Sequence, residues 1–377
     1  MTSSPHSKKV ALVHDWLNGM RGGEKCLEVF CELYQHARLF TLFHERGCAS
    51  PRIESMPITT SFIQKLPFPL RRRYPFFLPF FPLAIRQFDF SGYDVIFSSS
   101  HCVAKGARRP KGGYHVSYVH APMRYVWDCF DIYFNRPQTP VTLRMGATLA
   151  RPFLQGWDRK SSMEVDDFIC NSRYIRQKIR HYYKREPRVI YPPVELSRFK
   201  PGSSKEGYYL MVGAIVPNKR VDLAVEAFNR LGFRLKIAGV GLDENYCRSI
   251  AGPNVEFLGY VDDELLVNLY QRAKALLFSG VDDFGIVPLE AQACGTPVIA
   301  FAQGGVLETV TERTGLFFYE PTVPALVEAV LKMEKTWKDF SPEDLRRNAA
   351  RFGRERFKDE IRQAVEQGYS AGGHGRI

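Results

Sequence analysis

The chain has 377 residues, 45% of them hydrophobic and 24% charged, with a formal net charge of +12 and an isoelectric point near 9.3. Such a length exceeds one ordinary core and suits two domains, and the apolar fraction excludes a disordered chain. The positive balance predicts attraction to polyanions, yet no zinc-finger spacing, aromatic RNA-binding strand or basic coiled coil accompanies it, so phosphorylated substrates and anionic lipid rank ahead of nucleic acid.

Met1–Ser7 is short and polar, and no signal peptide is expected before the first strand. Eight scattered cysteines without a Cys-x-x-Cys pair read as reduced thiols of a cytosolic protein. Lys8–His14 predicts a strand, followed by the glycine-rich Asn18–Glu24 and a helix over Glu24–Tyr34. Strand, glycine loop and helix open a doubly wound α/β domain, whose ligands sit at the carboxyl ends of the strands. Gly22 and Gly23 let the backbone approach a diphosphate, and the helix start adds a favourable dipole; a plain turn is the alternative.

Further strands are predicted at Ala37–Phe43, Val95–Ser98, His115–His120 and Asp167–Cys170, with a helix at Arg173–Tyr183. Between them, Arg71, Arg72 and Arg73 adjoin the aromatic run Tyr74–Leu83, which suits a lipid headgroup interface or a core loop equally. Pro75, Pro79 and Pro82 interrupt that run, which is too short to span a bilayer. The block Tyr118–Asp128 follows a strand and is rich in groups that recognise sugars. His120 can hydrogen-bond a hydroxyl or a leaving phosphate, Arg124 can pair with an anion, and Tyr125 and Trp127 offer stacking faces. An aromatic packing patch around a satisfied histidine is the competing reading.

Tyr191–Phe199, with two prolines, predicts an extended linker. Beyond it, strands at Tyr209–Val212, Phe233–Ala238 and Val255–Leu258 alternate with helices at Leu223–Leu231 and Leu265–Ala273, a second α/β pattern. Lys219 and Arg220 stand at a helix start, where cations oppose the dipole unless an anion sits between. Ala275–Phe278 predicts a buried parallel strand, and a helix follows from Pro288. Asp282 and Glu290 flank Gly285-Ile286-Val287-Pro288. Amides at that helix start favour an anion and the carboxylates can hold hydroxyls, two features that a sugar nucleotide offers together. With no Asp-x-Asp and no His/Cys cluster, no metal site is expected. Helices at Pro342–Phe352 and Arg356–Tyr369 close the chain, and the glycine-rich Ser370–Ile377 reads as disordered.

The run from Asp282 to Glu290, with Phe284-Gly285-Ile286-Val287-Pro288-Leu289 inside it and Gly295-Thr296-Pro297-Val298 after it, resembles the acid-x7-acid motif of retaining GT-B glycosyltransferases of family 4. In that family the first acid is usually glutamate. Val212–Asp222 resembles the family segment whose arginine and lysine hold the donor diphosphate; Lys219 matches the lysine, and Ala214 stands at the arginine position. The block from His120 to Asp128 is similar to one in mannosyltransferases of surface-polysaccharide assembly.

The resemblance implies two Rossmann-like, doubly wound domains facing a cleft: residues 1–190 for the acceptor, 191–352 for the nucleotide-sugar donor, and 353–377 as a final helix returning to the first domain plus a tail. It implies retaining transfer of a hexose, mannose from GDP-mannose; the basic, aromatic stretch, read as a headgroup interface, makes the acceptor a lipid-linked saccharide, and the missing Asp-x-Asp disfavours a metal. His120, Asp282 and Lys219 would carry the chemistry. Together with the readings of the residues themselves, which supply Gly22, Gly23, Arg124 and Arg220, the resemblance makes these four and Phe284, Gly285, Ile286, Val287 and Glu290 the substrate-binding residues. The protein would be cytoplasmic, with peripheral contact to an anionic membrane. A non-catalytic nucleotide-sugar or lipid-binding protein of the same fold, and a sugar-nucleotide epimerase, stay open as alternatives.

Overall fold

The short runs Val10–His14, buried from Ala11 on, and Ala275–Phe278, buried throughout, form central strands of two parallel sheets, as expected of strands shielded on both faces. The computed structural model describes residues 8–71, 74–135, 139–202 and 204–371. It divides into two units, Met1–Ile190 with Lys358–Ile377, and Tyr191–Phe357. Arg72 and Arg73 of the basic run, the start of the chain and the end of the glycine-rich tail lie outside the described residues.

In the N-terminal unit the strands are β1 (Val10–His14), β2 (Arg38–Thr41), β3 (Ile58–Thr60), β4 (Val95–Ser100), β5 (Tyr114–Val119), β6 (Asp167–Cys170) and β7 (Arg188–Val189), in the spatial order β3-β2-β1-β4-β5-β6-β7. Every pair is parallel. Strand order reverses between β1 and β4, which opens a crevice at their carboxyl ends. The first helix starts at Gly22, two residues earlier than the sequence predicts. Its cause is local: Glu24, as third helical residue, takes the Arg21 N–H at 3.0 Å and closes a capping box. Gly22 and Gly23 therefore belong to the first helical turn, not to a loop.

In the C-terminal unit β8 (Tyr208–Val212), β9 (Arg234–Ala238), β10 (Val255–Gly259), β11 (Ala275–Phe278), β12 (Val298–Phe301) and β13 (Gly315–Phe318) lie in the order β10-β9-β8-β11-β12-β13. The reversal falls between β8 and β11, the counterpart of β1 and β4. The segment Tyr191–Phe199 is extended only as far as Glu195, then turns over Leu196–Arg198, and is built into this unit: Val194 and Phe199 are buried, and the Arg346 guanidinium donates to the carbonyls of Leu196, Phe199 and Ala293.

The helix Val141–Ser162 is not legible in the sequence, since Gly146, Pro152 and Gly156 interrupt its pattern and its longest apolar side chains face outward. The last helix, Arg354–Ala371, has Gly368 against the phenol of Tyr114 and the carboxylate of Asp167; a Cβ there would lie 2.3 Å from Asp167 Oδ2. A side chain there would displace the hydrogen-bonded Tyr114–Asp167 pair.

Candidate functional site

In the C-terminal unit the crevice between β8 and β11 is built by two loops stitched together. Gly280 lies against the backbone of Asn218 and Lys219, where a Cβ would sit 2.1 Å from the Asn218 carbonyl oxygen. Val281 donates its N–H to that same oxygen at 3.1 Å. The Ser279 hydroxyl donates to the carbonyls of Lys219 (3.1 Å) and Arg220 (2.9 Å). These bonds fix Lys219 over the end of β11: its Nζ lies 2.5 Å from Asp282 Oδ2 and 5.4 Å from the centre of the Phe278 ring. Both charged side chains are about four-fifths buried, with 21% and 23% exposed. Arg220 has left-handed backbone (φ +50°) as it caps the helix Val221–Leu231, and its Nε meets the Asp222 carboxylate at 3.1 and 3.2 Å. The opposition of Lys219 and Arg220 to the helix dipole is thus answered by Asp282 and Asp222, carboxylates of the protein itself.

Asp282 is held from below. Gly305 donates its N–H to the Asp282 carbonyl at 2.9 Å, and a Cβ on Gly304 would lie 2.6 Å from that oxygen. Gly285 (φ +98°) caps the helix Ile286–Ala293, a turn that side chains resist, and helical geometry leaves the first amides, those of Ile286 and Val287, without intrahelical acceptors. The side chains of Ile286 and Val287 pack on the core. Phe284 does not face a ligand: its ring is buried, stacked on Tyr191 at 5.6 Å and edge-on to Phe352 at 5.6 Å, so only its backbone is available to a donor. Glu290 is 3% exposed, and the Tyr270 phenol donates to its Oε2 at 3.0 Å.

In the N-terminal unit, a polar network occupies the carboxyl ends of β1 and β4. The Ser99 hydroxyl links His14 Nδ1 (3.1 Å) and His120 Nε2 (2.9 Å). His14 Nε2 stands 3.7 Å from Glu24 Oε1, and burial, which alone would raise the Glu24 carboxyl, is outweighed by His14, so that it is pulled down to about 2. Asp15, wholly buried, accepts the N–H groups of His101, Cys102, Val103 and Ala104 at 2.6 to 3.0 Å and His101 Nδ1 at 3.1 Å. Burial opposes its charge, but the imidazoles and these amides hold it below the usual carboxylate range. Gly23 packs under the ring of His120, since a Cβ there would lie 3.6 Å from Nε2. Arg124 is half-buried and its charge reaches His101.

His120 is held neutral, its pKa pushed down to about 3 chiefly by burial, and one ring nitrogen is already engaged by Ser99. Trp127 is a packing residue: its ring stacks on Tyr182 at 4.5 Å and its Nε1 donates to Asp158 at 2.8 Å. Tyr125 meets Tyr133 and lines an apolar cavity. Neither ring is the free stacking face that the sequence suggests. Sequence reasoning missed His14, Asp15, Ser99 and His101; the available signal was polar residues closing β1 and β4, the two strands flanking the reversal of order.

The buried histidines make a pH prediction. His115 and His120 have folded pKa values lowered from 6.5 to about 3 by burial, so the unfolded chain binds protons that the folded chain does not as pH falls below 6.5. Their contribution is intact above 6.5 and is lost toward 3, at roughly 1 kcal/mol per pH unit for each histidine. Urea unfolding should show a lower midpoint at about pH 5 than at about pH 7, and His115→Gln should shrink the difference; a midpoint independent of pH would contradict this.

Residues 194–356 match the family described as Glycosyl transferases group 1, and residues 38–198 match Glycosyltransferase Family 4. The chain carries a Glycosyltransferase Family 4 domain followed by a Glycosyl transferases group 1 domain. Among relatives of this glycosyltransferase chain, the D-inositol 3-phosphate glycosyltransferase of Geodermatophilus obscurus is 31% identical over 232 residues, 52% of this chain and 52% of that protein. The GDP-mannose-dependent monoacylated alpha-(1-6)-phosphatidylinositol monomannoside mannosyltransferase of Corynebacterium glutamicum is 30% identical over 207 residues, 46% of this chain and 54% of that one. The match spans about half the length of these curated relatives.

Among solved structures, sucrose-phosphate synthase from Thermosynechococcus elongatus superposes with a TM-score of 0.70 at 20% identity, covering 97% of this chain and all of the other. Anabaena HepE in complex with UDP gives 0.69 at 13% identity, covering 95% of this chain and all of the other. At such identities the likeness speaks for the fold, which is GT-B. Among the described residues, no group of three or more His, Cys, Asp or Glu side chains is placed to hold a metal ion, and no helix is long and apolar enough to cross a membrane.

Proposed function

We propose that this chain transfers a hexose, mannose from GDP-mannose, to a lipid-linked saccharide with retention of anomeric configuration and without a metal. The observation that carries the reading is the Lys219–Asp282 pair at the reversal between β8 and β11, beside the Gly285-capped helix. A diphosphate entering there would take Lys219 and the first helical amides, releasing Asp282 toward sugar hydroxyls. Glu290 would serve the ribose, its carboxylate steadied by Tyr270. The choice of mannose is supported by the C. glutamicum relative, whose name specifies GDP-mannose and a lipid-borne acceptor.

As the bond to the diphosphate loosens, negative charge grows on the leaving phosphate, where Lys219 and backbone amides would stabilise it. Neutral His120 can accept or donate a hydrogen bond at the reacting end but carries no charge to offset. With no side chain assigned as a covalent nucleophile, attack would come on the face of the sugar that the phosphate leaves, and that phosphate would accept the acceptor's proton. Arg124, Gly22 and Gly23 would position anionic groups in the N-terminal unit. The test is release of GDP from GDP-mannose in the presence of a bacterial lipid extract. Release that requires the extract and gives an α-mannosylated lipid supports the reading; release without an acceptor favours an epimerase-like activity, and none with any donor overturns it.

A further inference from the structure

The helix Val141–Ser162 turns its large apolar residues away from the core. Val141, Met145, Leu149 and Phe153 are between 59 and 79% exposed, and a spacing of four residues aligns them in one stripe. Lys160 lies on the same line, and exposed Met163 follows the helix. No acidic residue occurs from 132 to 157, and Asp158 is buried; exposed Asp131 lies before the helix, and Glu164, just after it, is paired with Arg86.

Beside it, the segment Tyr74–Phe80 and the residues that follow leave Phe76, Phe80 and Leu83 more than half exposed. Between the two segments is a cavity of about 330 Å³ lined by Phe76, Leu78, Tyr125, Phe130, Leu143 and Leu154. Isolated exposed apolar residues are ordinary; a continuous patch around an apolar cavity is not. The fringe is basic. Exposed Arg159 and Lys160 stand at the end of this helix, and exposed Lys65 precedes the aromatic segment, whereas Arg86 is already paired with Glu164 at 2.7 Å.

We infer that this face docks on an anionic lipid bilayer, with Phe76, Phe80, Met145, Leu149 and Phe153 entering the interface and the cavity receiving an acyl or prenyl chain. Charge selects this occupant. A second copy of the chain would set Lys65, Arg159 and Lys160 against themselves, whereas anionic headgroups neutralise them. The inference extends the proposed lipid-linked acceptor, but its test uses no glycosyl transfer, so the two readings fail separately.

The test is co-sedimentation of the whole protein with vesicles of phosphatidylcholine alone and of phosphatidylcholine mixed with phosphatidylglycerol. Binding to the mixed vesicles should exceed binding to the neutral ones by roughly tenfold or more, and Leu149→Glu with Phe153→Glu should abolish it. Both sites are exposed, so the variant should keep the wild-type melting temperature and nucleotide binding. Wild type that ignores both vesicles, a variant that binds as wild type does, or a concentration-dependent dimer dissolved by the same substitutions without vesicle binding would each overturn the inference.

Discussion

Lys219→Ala is expected to weaken GDP binding by roughly 10- to 100-fold, the worth of a charge-assisted hydrogen bond to phosphate. Asp282→Ala is expected to behave differently. In the free protein that carboxylate sits 2.5 Å from Lys219 Nζ and competes with any incoming anion. Removing it should leave the affinity for bare GDP unchanged or improved, while abolishing the preference for GDP-mannose over GDP. The two substitutions therefore separate a donor site from a structural ion pair. If the pair merely joined the two loops, both variants would lose stability alike and neither would change nucleotide affinity. Melting curves of both, taken with the titrations, decide between these outcomes.

Asp158→Ala is expected to be the most damaging single change to the N-terminal unit. Asp158 is fully buried and receives the ammonium of equally buried Lys105, the Trp127 Nε1 at 2.8 Å and the Tyr183 phenol at 2.7 Å. Its loss strands a buried cation, at a cost of about 3–5 kcal/mol, and leaves two donors without their acceptor, at about 1–3 kcal/mol each. Domain stabilities of about 5–15 kcal/mol leave little after such a loss. Replacing the partners together, Lys105→Met with Asp158→Leu, should recover much of it, because no buried charge is then left unpaired. Urea unfolding of the single and double variants checks the comparison; a single variant within about 1 kcal/mol of wild type would show that the network contributes little.

The fold was legible where its signals were local. The helix at Arg173–Tyr183 and the strand at Ala275–Phe278 match their sequence-based bounds, because Ser172 caps the one and four consecutive apolar residues make the other. The donor loop was legible for the same reason: Asp282, Gly285 and Glu290 fall within nine residues. The Asp15–His101 contact joins residues 86 apart, so no spacing announces it. Phe284 and Trp127 show the converse error. An aromatic ring looks the same in a sequence whether it stacks on a sugar or on Tyr191 or Tyr182, and only the distant partner separates the two. The helix at Val141–Ser162 was missed because Gly146, Pro152 and Gly156 break a pattern whose apolar residues do recur at a spacing of four.

Calorimetric titration of the protein with GDP, UDP, ADP and their hexose conjugates tests the central claim, that the reversal between β8 and β11 binds a nucleotide-sugar diphosphate. Selective binding of GDP and GDP-mannose, weakened by Lys219→Ala, is the predicted result. Absence of binding to all of them, or binding that Lys219→Ala and Asp282→Ala leave untouched, would contradict it.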